Sequence, residues 1–150
     1  MTEPYRREPP DATGTVVRTA SPACPASRRR RRRPDRSRTV SNAVTIPQVL
    51  LDAVAAHSDL EALVDGDVSM GHAQLLTSVE HAAASLLATG VEHGDRVAIW
   101  APNCWEWVVV ALATHHVGGV LVPVNTRYRG TEAAELLERS SARVLFTVTD

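Results

Sequence analysis

Lysine is absent from this 150-residue chain, although arginine occurs sixteen times. Folding physics does not forbid lysine. The exclusion points to the codon usage of a GC-rich genome and carries no functional reading. Cysteine is nearly absent as well, with only Cys24 and Cys104. Two thiols so placed offer no zinc-ligand spacing and no disulfide framework, which fits a reducing, cytoplasmic setting. Long apolar runs are also missing. The best stretch, Trp107 to Val124, is broken by His115-His116, Gly118-Gly119 and Pro123, so no transmembrane segment is expected. The basic start of the chain is not followed by an apolar segment, which argues against a secretory signal. Four catalytic signatures are missing: the G-x-S-x-G elbow, the G-x-x-x-x-G-K-[ST] phosphate loop, a G-x-G-x-x-G after a strand, and H-E-x-x-H. Each needs its residues at fixed spacing to work, so none of those four chemistries is assigned.

What is present divides the chain in two. Residues 1–44 hold eleven Arg and four acids, a balance of +7; residues 45–150 hold five Arg and thirteen acids, a balance of −8; together they give the net −1. Six of the nine prolines precede Val40, and Arg28 to Arg33 is an unbroken run of like charge. Such a segment repels itself and has little to bury, so residues 1–44 read as a disordered Arg/Pro-rich extension. Three readings apply to it: an anion-binding or nucleic-acid arm, an unstructured extension, or a start site placed too far upstream, with Val40 or Val44 as the true start. Neither aromatic residues nor a recognisable reader fold accompany the charges, so no nucleic-acid partner is expected.

From Thr45 the texture becomes that of a folded domain. Thr45 followed by Pro47 predicts a capped helix to about His57, burying Ile46, Val49, Leu50 and Val54. Glu61–Asp65 and Val68–Met70 flank Gly66-Asp67 and read as a hairpin. A helix from His72 to Thr89 carries Leu76, Val79, Ala83 and Leu86 on one stripe, and Gly90 stands where a glycine stops a helix. Arg96 to Ala101 is apolar on both faces, as a buried parallel strand must be. A helix from Cys104 to Val117, a strand from Val120 to Val124, a short helix capped by Thr131, and a strand from Arg143 to Thr149 complete a β-α-β-α-β pattern. The fold class is therefore α/β, with a parallel sheet and right-handed crossovers.

Few residues invite a chemical role. His115 and His116 are adjacent, so on a helix they cannot face one ion, and the other four histidines have no partner spacing. Asp65 and Asp67 could hold a cation, but the turn at Gly66 uses the same residues for geometry. Trp100, Trp105 and Trp107 could stack on a ligand, but core packing accounts for them more simply. Glu132, Glu135 and Glu138 read as a solvated helix face. Arg127 and Arg129, on a loop at the sheet's carboxyl edge, are the most suggestive pair for an anion.

The order of these words resembles the N-terminal part of the adenylate-forming (AMP-binding) superfamily. The resemblance is carried by Ala62-Leu63-Val64-Asp65, the helix end Leu87 to Val91, Gly94 to Ile99, Pro102-Asn103, Gly118 to Asn125 and Arg143 to Phe146. Ile99 to Asn103 and Asn125 to Tyr128 look most like bacterial acyl-CoA ligases, among them the ligases of steroid ring catabolism that activate a bicyclic propanoate. Ser69 to Ala73 departs from the family's usual turn. The resemblance implies an ATP-dependent carboxylate–CoA ligase, forming an acyl-adenylate and then an acyl-CoA, with ATP, Mg2+ and CoA as cofactors and a fatty or steroid-derived acid as substrate. It also implies that residues 45–150 are only the opening, scaffold part of that fold. The family's phosphate loop, magnesium region, ribose-binding Asp and C-terminal Lys match nothing here, so the catalytic, cofactor-binding and metal assignments are all none. A stand-alone α/β interaction module is the alternative reading.

Overall fold

In the computed structural model, residues 45–148 are described in full, together with the backbone of residues 15–18. Thr45 starts the fold as expected. Its Oγ1 accepts from the Gln48 N–H at 3.3 Å, and Pro47 occupies the first turn of α1 (Ile46–His57). A two-stranded antiparallel hairpin follows, β2 (Glu61–Asp65) and β3 (Val68–Gly71). Gly66 takes φ 56°, a value glycine reaches without a Cβ penalty.

Helix α2 (His72–Ala88) ends in a Schellman turn. The Val91 N–H donates to the Leu86 carbonyl at 3.1 Å, and the Gly90 N–H to the Leu87 carbonyl at 2.9 Å. Gly90 supplies the left-handed residue this turn requires, at φ 84°. Helix α3 (Trp105–His116) ends the same way. The Gly119 N–H donates to the Thr114 carbonyl at 2.8 Å and the Gly118 N–H to the His115 carbonyl at 3.1 Å, with Gly118 at φ 74°.

The main sheet has the order β1-β6-β4-β5, all parallel. Here β4 is Arg96–Trp100, β5 is Val120–Pro123 and β6 is Ala142–Thr147. The central strand β4 alternates as its sequence requires. Val97 and Ile99 join Val144 and Phe146 of β6 in the larger core, with Val79, Ala83 and Leu86 of α2 and Val109, Val110 and Ala113 of α3. Ala98 and Trp100 face the other way, packing with Val122, Val124, Leu145 and residues of α4 (Gly130–Ser140). The α3 crossover thus covers one face of the sheet and the α4 crossover the other. Strand β5 lies at an edge, where Pro123 is tolerated because its missing N–H leaves no ladder bond unmade.

Several expectations are corrected in detail. On α1, Ile46 and Val49 are about half exposed and only Leu50 is buried. The helix rests on α2 and α3, and no described layer covers its outer side. On α2, Leu75 takes the core position assigned to Leu76, which is only partly buried. On α3, residues on both sides are buried, Val109 and Ala113 as well as Val110, Ala111 and Thr114, while His116 near its end is exposed. Helix α4 starts before Thr131, because the Glu132 carboxylate reaches back to accept from the Arg129 N–H at 2.8 Å and fixes the first turn there. Thr15–Arg18 forms β1 beside β6, although no element is expected before Thr45. The β-branched run Thr15-Val16-Val17 supplies the strand preference. The rest of the predicted extension, including Cys24 and Arg28–Arg33, lies outside the described residues.

The amino ends of the strands are tied by side chains. Arg96 donates through Nε to the Ser140 carbonyl at 3.0 Å, through Nη2 to that of Ser141 at 3.0 Å, and through Nη1 to that of Gly94 at 3.2 Å. It thereby joins the start of β4 to the carbonyl-rich end of α4, where a cation is also favoured by the helix dipole. Asp95 meets the Arg143 guanidinium of β6 at 2.8 Å and accepts from the Glu92 N–H at 2.9 Å. The Glu92 main-chain bond is the largest effect on the Asp95 carboxyl; with Arg143 and Arg96 it outweighs the opposing effect of burial and holds the group below its ordinary value of 3.8.

A carboxyl depressed in the folded state contributes stability above its unfolded pKa and loses it as pH falls through the folded value. The stability difference between wild type and Asp95→Asn, measured by urea unfolding, is expected to be constant above about pH 5 and to vanish as pH is lowered below 3.8. Gly118→Ala forces a Cβ to 2.5 Å from His93 Cδ2 at a positive φ. We expect it to destabilise by more than about 1 kcal/mol in the same assay.

Candidate functional site

In an open doubly wound sheet, the ligand crevice lies at the carboxyl ends of the strands where the strand order reverses. Here the chain leaves β4 for β5 on one side, then returns past β4 to β6 on the other. The reversal is between β4 and β6. The segment Ala101 to Cys104 and the end of β6 at Thr147 frame it. An apolar cavity of about 20 Å³ sits there, walled by Ile99 and Ala101 of β4 and its exit, Phe146 and Thr147 of β6, and Cys104 and Glu106 at the start of α3. A larger groove of about 350 Å³ lies beside it, between Leu63, Val64 and Asp65 of the hairpin and Trp105, Trp107 and Val108 of α3.

A hydrogen bond joins the hairpin and α3 across this groove. The Asp65 Oδ2 accepts from the Trp105 N–H at 2.9 Å. The N-cap position of α3 is Cys104, whose side chain makes no cap bond, so a carboxylate forty residues earlier in the chain does that work. An anion at a helix N-terminus also meets the positive end of the dipole. Asp65, expected as a turn former, is therefore a turn former and a remote helix cap.

Cys104 does not have the setting of a nucleophile. Burial raises its thiol above the ordinary value of 9.0, and the nearby Glu106 carboxylate raises it further, outweighing the main-chain contact to Trp107. Reactive cysteines need the opposite environment. Glu106 itself was not singled out in the sequence, yet one of its carboxylate oxygens, Oε2, is buried without a hydrogen-bond partner among the described residues. The signal was available, since Glu106 is the lone charge between Cys104 and His115.

The suggestive arginines lie elsewhere. Arg127 and Arg129 are exposed and line neither the cavity nor the groove. Their main-chain amides are used locally, Arg127 donating to Asn125 Oδ1 at 3.0 Å and Arg129 to Glu132. The tryptophans pack in the cores, Trp105 and Trp107 against the larger one and Trp100 against the smaller. Among the described residues no three His, Cys, Asp or Glu converge. Gly118 and Gly119 close a helix rather than cradle a phosphate. The described residues therefore do not fit a magnesium or nucleotide site of their own. No described helix is long and apolar enough to cross a membrane.

The profile of the AMP-binding enzyme family matches residues 50–150. The chain belongs to this family. It is 49% identical over 102 residues to the 3-[(3aS,4S,7aS)-7a-methyl-1,5-dioxo-octahydro-1H-inden-4-yl]propanoyl:CoA ligase of Mycobacterium tuberculosis, covering 68% of this chain and 20% of that protein. It is 45% identical over 101 residues to the ligase of the same description from Rhodococcus jostii, covering 67% and 20%. Among solved structures, a Mycobacterium tuberculosis fatty acyl CoA synthetase superposes with a TM-score of 0.65 at 31% identity, over 69% of this chain and 21% of that one. The Klebsiella oxytoca NpsA N-terminal subdomain in complex with anthranilyl-AMSN gives 0.66 at 25% identity, over 71% and 28%. The chain thus spans about a fifth of the length of the curated relatives it matches. The expected α/β class and family both hold, and the alternative of a stand-alone α/β interaction module is not favoured.

Asp65→Ala removes the remote cap of α3. We expect a loss of about 1 kcal/mol in chemical denaturation, together with faster amide exchange in Trp105 to Trp107 and little change in α4.

Proposed function

We propose that residues 45–150 act as a scaffold portion of an ATP-dependent, AMP-forming carboxylate–CoA ligase. In this reading the two-faced sheet and its helices support catalytic segments that belong to the rest of the family fold. None of these residues is itself catalytic, cofactor-binding or metal-ligating. ATP, Mg2+ and CoA serve the whole enzyme. Its substrate is a carboxylic acid, and its setting is the cytoplasm.

The observation that carries the reading is the 49% identity to the indanyl-propanoate ligase over the same segment. The apolar side chains left on the surface support it. Ile46, Val49, Leu60, Val64, Leu87 and Val120 are 48–58% exposed, apolar positions that neighbouring segments of a larger fold would cover. For the substrate class, the two relatives of highest identity above are both named for a bicyclic propanoate, and we favour an acid of that kind over a straight-chain one.

Two measurements test the proposal. The purified 150-residue chain is expected to catalyse no acid-dependent ATP–pyrophosphate exchange; exchange above the no-enzyme rate overturns the scaffold reading. A chimera in which residues 50–148 replace the matching segment of the Mycobacterium tuberculosis ligase is expected to keep kcat/KM for the indanyl propanoate within about tenfold, or about 1.4 kcal/mol. A chimera that folds but is inactive, or that prefers straight-chain acids, means this segment does more than support the site.

A further inference from the structure

The outer side of β6 is where the sheet would otherwise end. A bare strand edge presents a row of unpaired N–H and C=O groups, to which another extended segment readily adds. Here Thr15, Val16, Val17 and Arg18 fill that edge, in parallel register with Val144, Leu145, Phe146 and Thr147. This strand stands apart from the rest of the sheet. The family match begins at residue 50, so β1 lies outside the shared part of the fold. It is four residues long, and among the described elements its contacts are chiefly with β6. Strand β4 keeps both its flanks, β5 and β6, without it. Its partner lies across almost the whole chain, so a long loop must close to form a short ladder.

We propose that the outer edge of β6 is a strand-acceptor site, which this chain fills with its own residues 15–18 as a detachable guard. Main-chain pairing supplies the binding, as in other sites that add a strand to a sheet edge. The β-branched run Thr15-Val16-Val17 favours the extended form such a site requires. While β1 is docked, the edge is closed to strands from other chains. When β1 leaves, the sheet stays folded as β6-β4-β5, and the edge accepts an extended segment of the same sequence in trans.

The test compares the full 150-residue chain with a variant carrying both Val16→Pro and Val17→Pro. Successive residues of a strand direct their N–H groups to opposite sides, so one of the two prolines removes a donor to β6 whichever way the ladder faces. Amide hydrogen exchange is read at Val144, Leu145 and Phe146. Alternate amides of β6 face β4 and β1, and wild type is expected to protect all three. The variant is expected to lose protection about tenfold or more at alternate positions only, either Leu145 alone or Val144 with Phe146. The amides bonded between β4, β5 and β6 keep theirs. A synthetic peptide of residues 12–21, added at about 1 mM, is expected to restore the lost protection in the variant. It is expected to leave wild type unchanged, because the tethered strand competes at a high effective concentration. Unchanged protection in the variant means that β1 does not cover the edge, and overturns the proposal. Loss throughout β4, β5 and β6 makes β1 an integral strand rather than a detachable one, which also overturns it. So does a peptide that restores nothing, because the edge is then no acceptor.

Discussion

Burial of β4 on both faces is the constraint from which the rest of the described fold follows. A strand with Val97 and Ile99 on one side and Ala98 and Trp100 on the other cannot sit at a surface. It needs a helical layer above and below and a strand on each flank. The chain meets these needs in order: α3 covers the first face, β5 takes one flank, α4 covers the second face and β6 takes the other flank. The reversal of direction that this requires is also what opens a crevice at the carboxyl ends. Scaffold and site geometry are thus two results of one buried strand.

The two ends of the sheet are built differently. At the amino ends, both Schellman turns, the Arg96 fork and the Asp95–Arg143 pair lock helices to strands. At the carboxyl ends there is one remote cap, a small cavity and a groove lined by tryptophan. Rigid packing at one edge allows the other to carry loops whose sequence answers to a ligand or a neighbouring segment. The AMP-binding family hosts this arrangement, in relatives of which this chain covers about a fifth.

Much of this was readable from local pattern. The two-sided apolarity of Arg96–Trp100, the glycines at 90 and 118 and the Thr45 cap are signals contained in a few consecutive residues, and they placed their elements within a residue or two. What escaped was non-local. The outward side of α1 looks like a core stripe because Ile46 and Val49 are apolar, but periodicity does not say whether a layer stands opposite. Asp65 looks like a turn residue because the helix it caps begins forty positions later. Thr131 looks like a cap, and Glu132 decides otherwise by reaching back to Arg129. Glu106 looks like a surface charge because the far wall of the cavity it borders is β6, which arrives only after another crossover.

The Arg96 fork has a consequence for the order of folding. Its bonds to Ser140 and Ser141 span 44 and 45 residues, whereas β4, α3 and β5 are neighbours in the chain. Contacts between distant residues must wait for the intervening loop to close. The β4-α3-β5 unit can assemble from near neighbours, but beyond the adjacent Gly94 carbonyl the fork has nothing to grip until α4 has formed and swung across the opposite face. Arg96 is thus placed as a latch, one that holds little until the second half of the sheet has arrived and then keeps it from leaving.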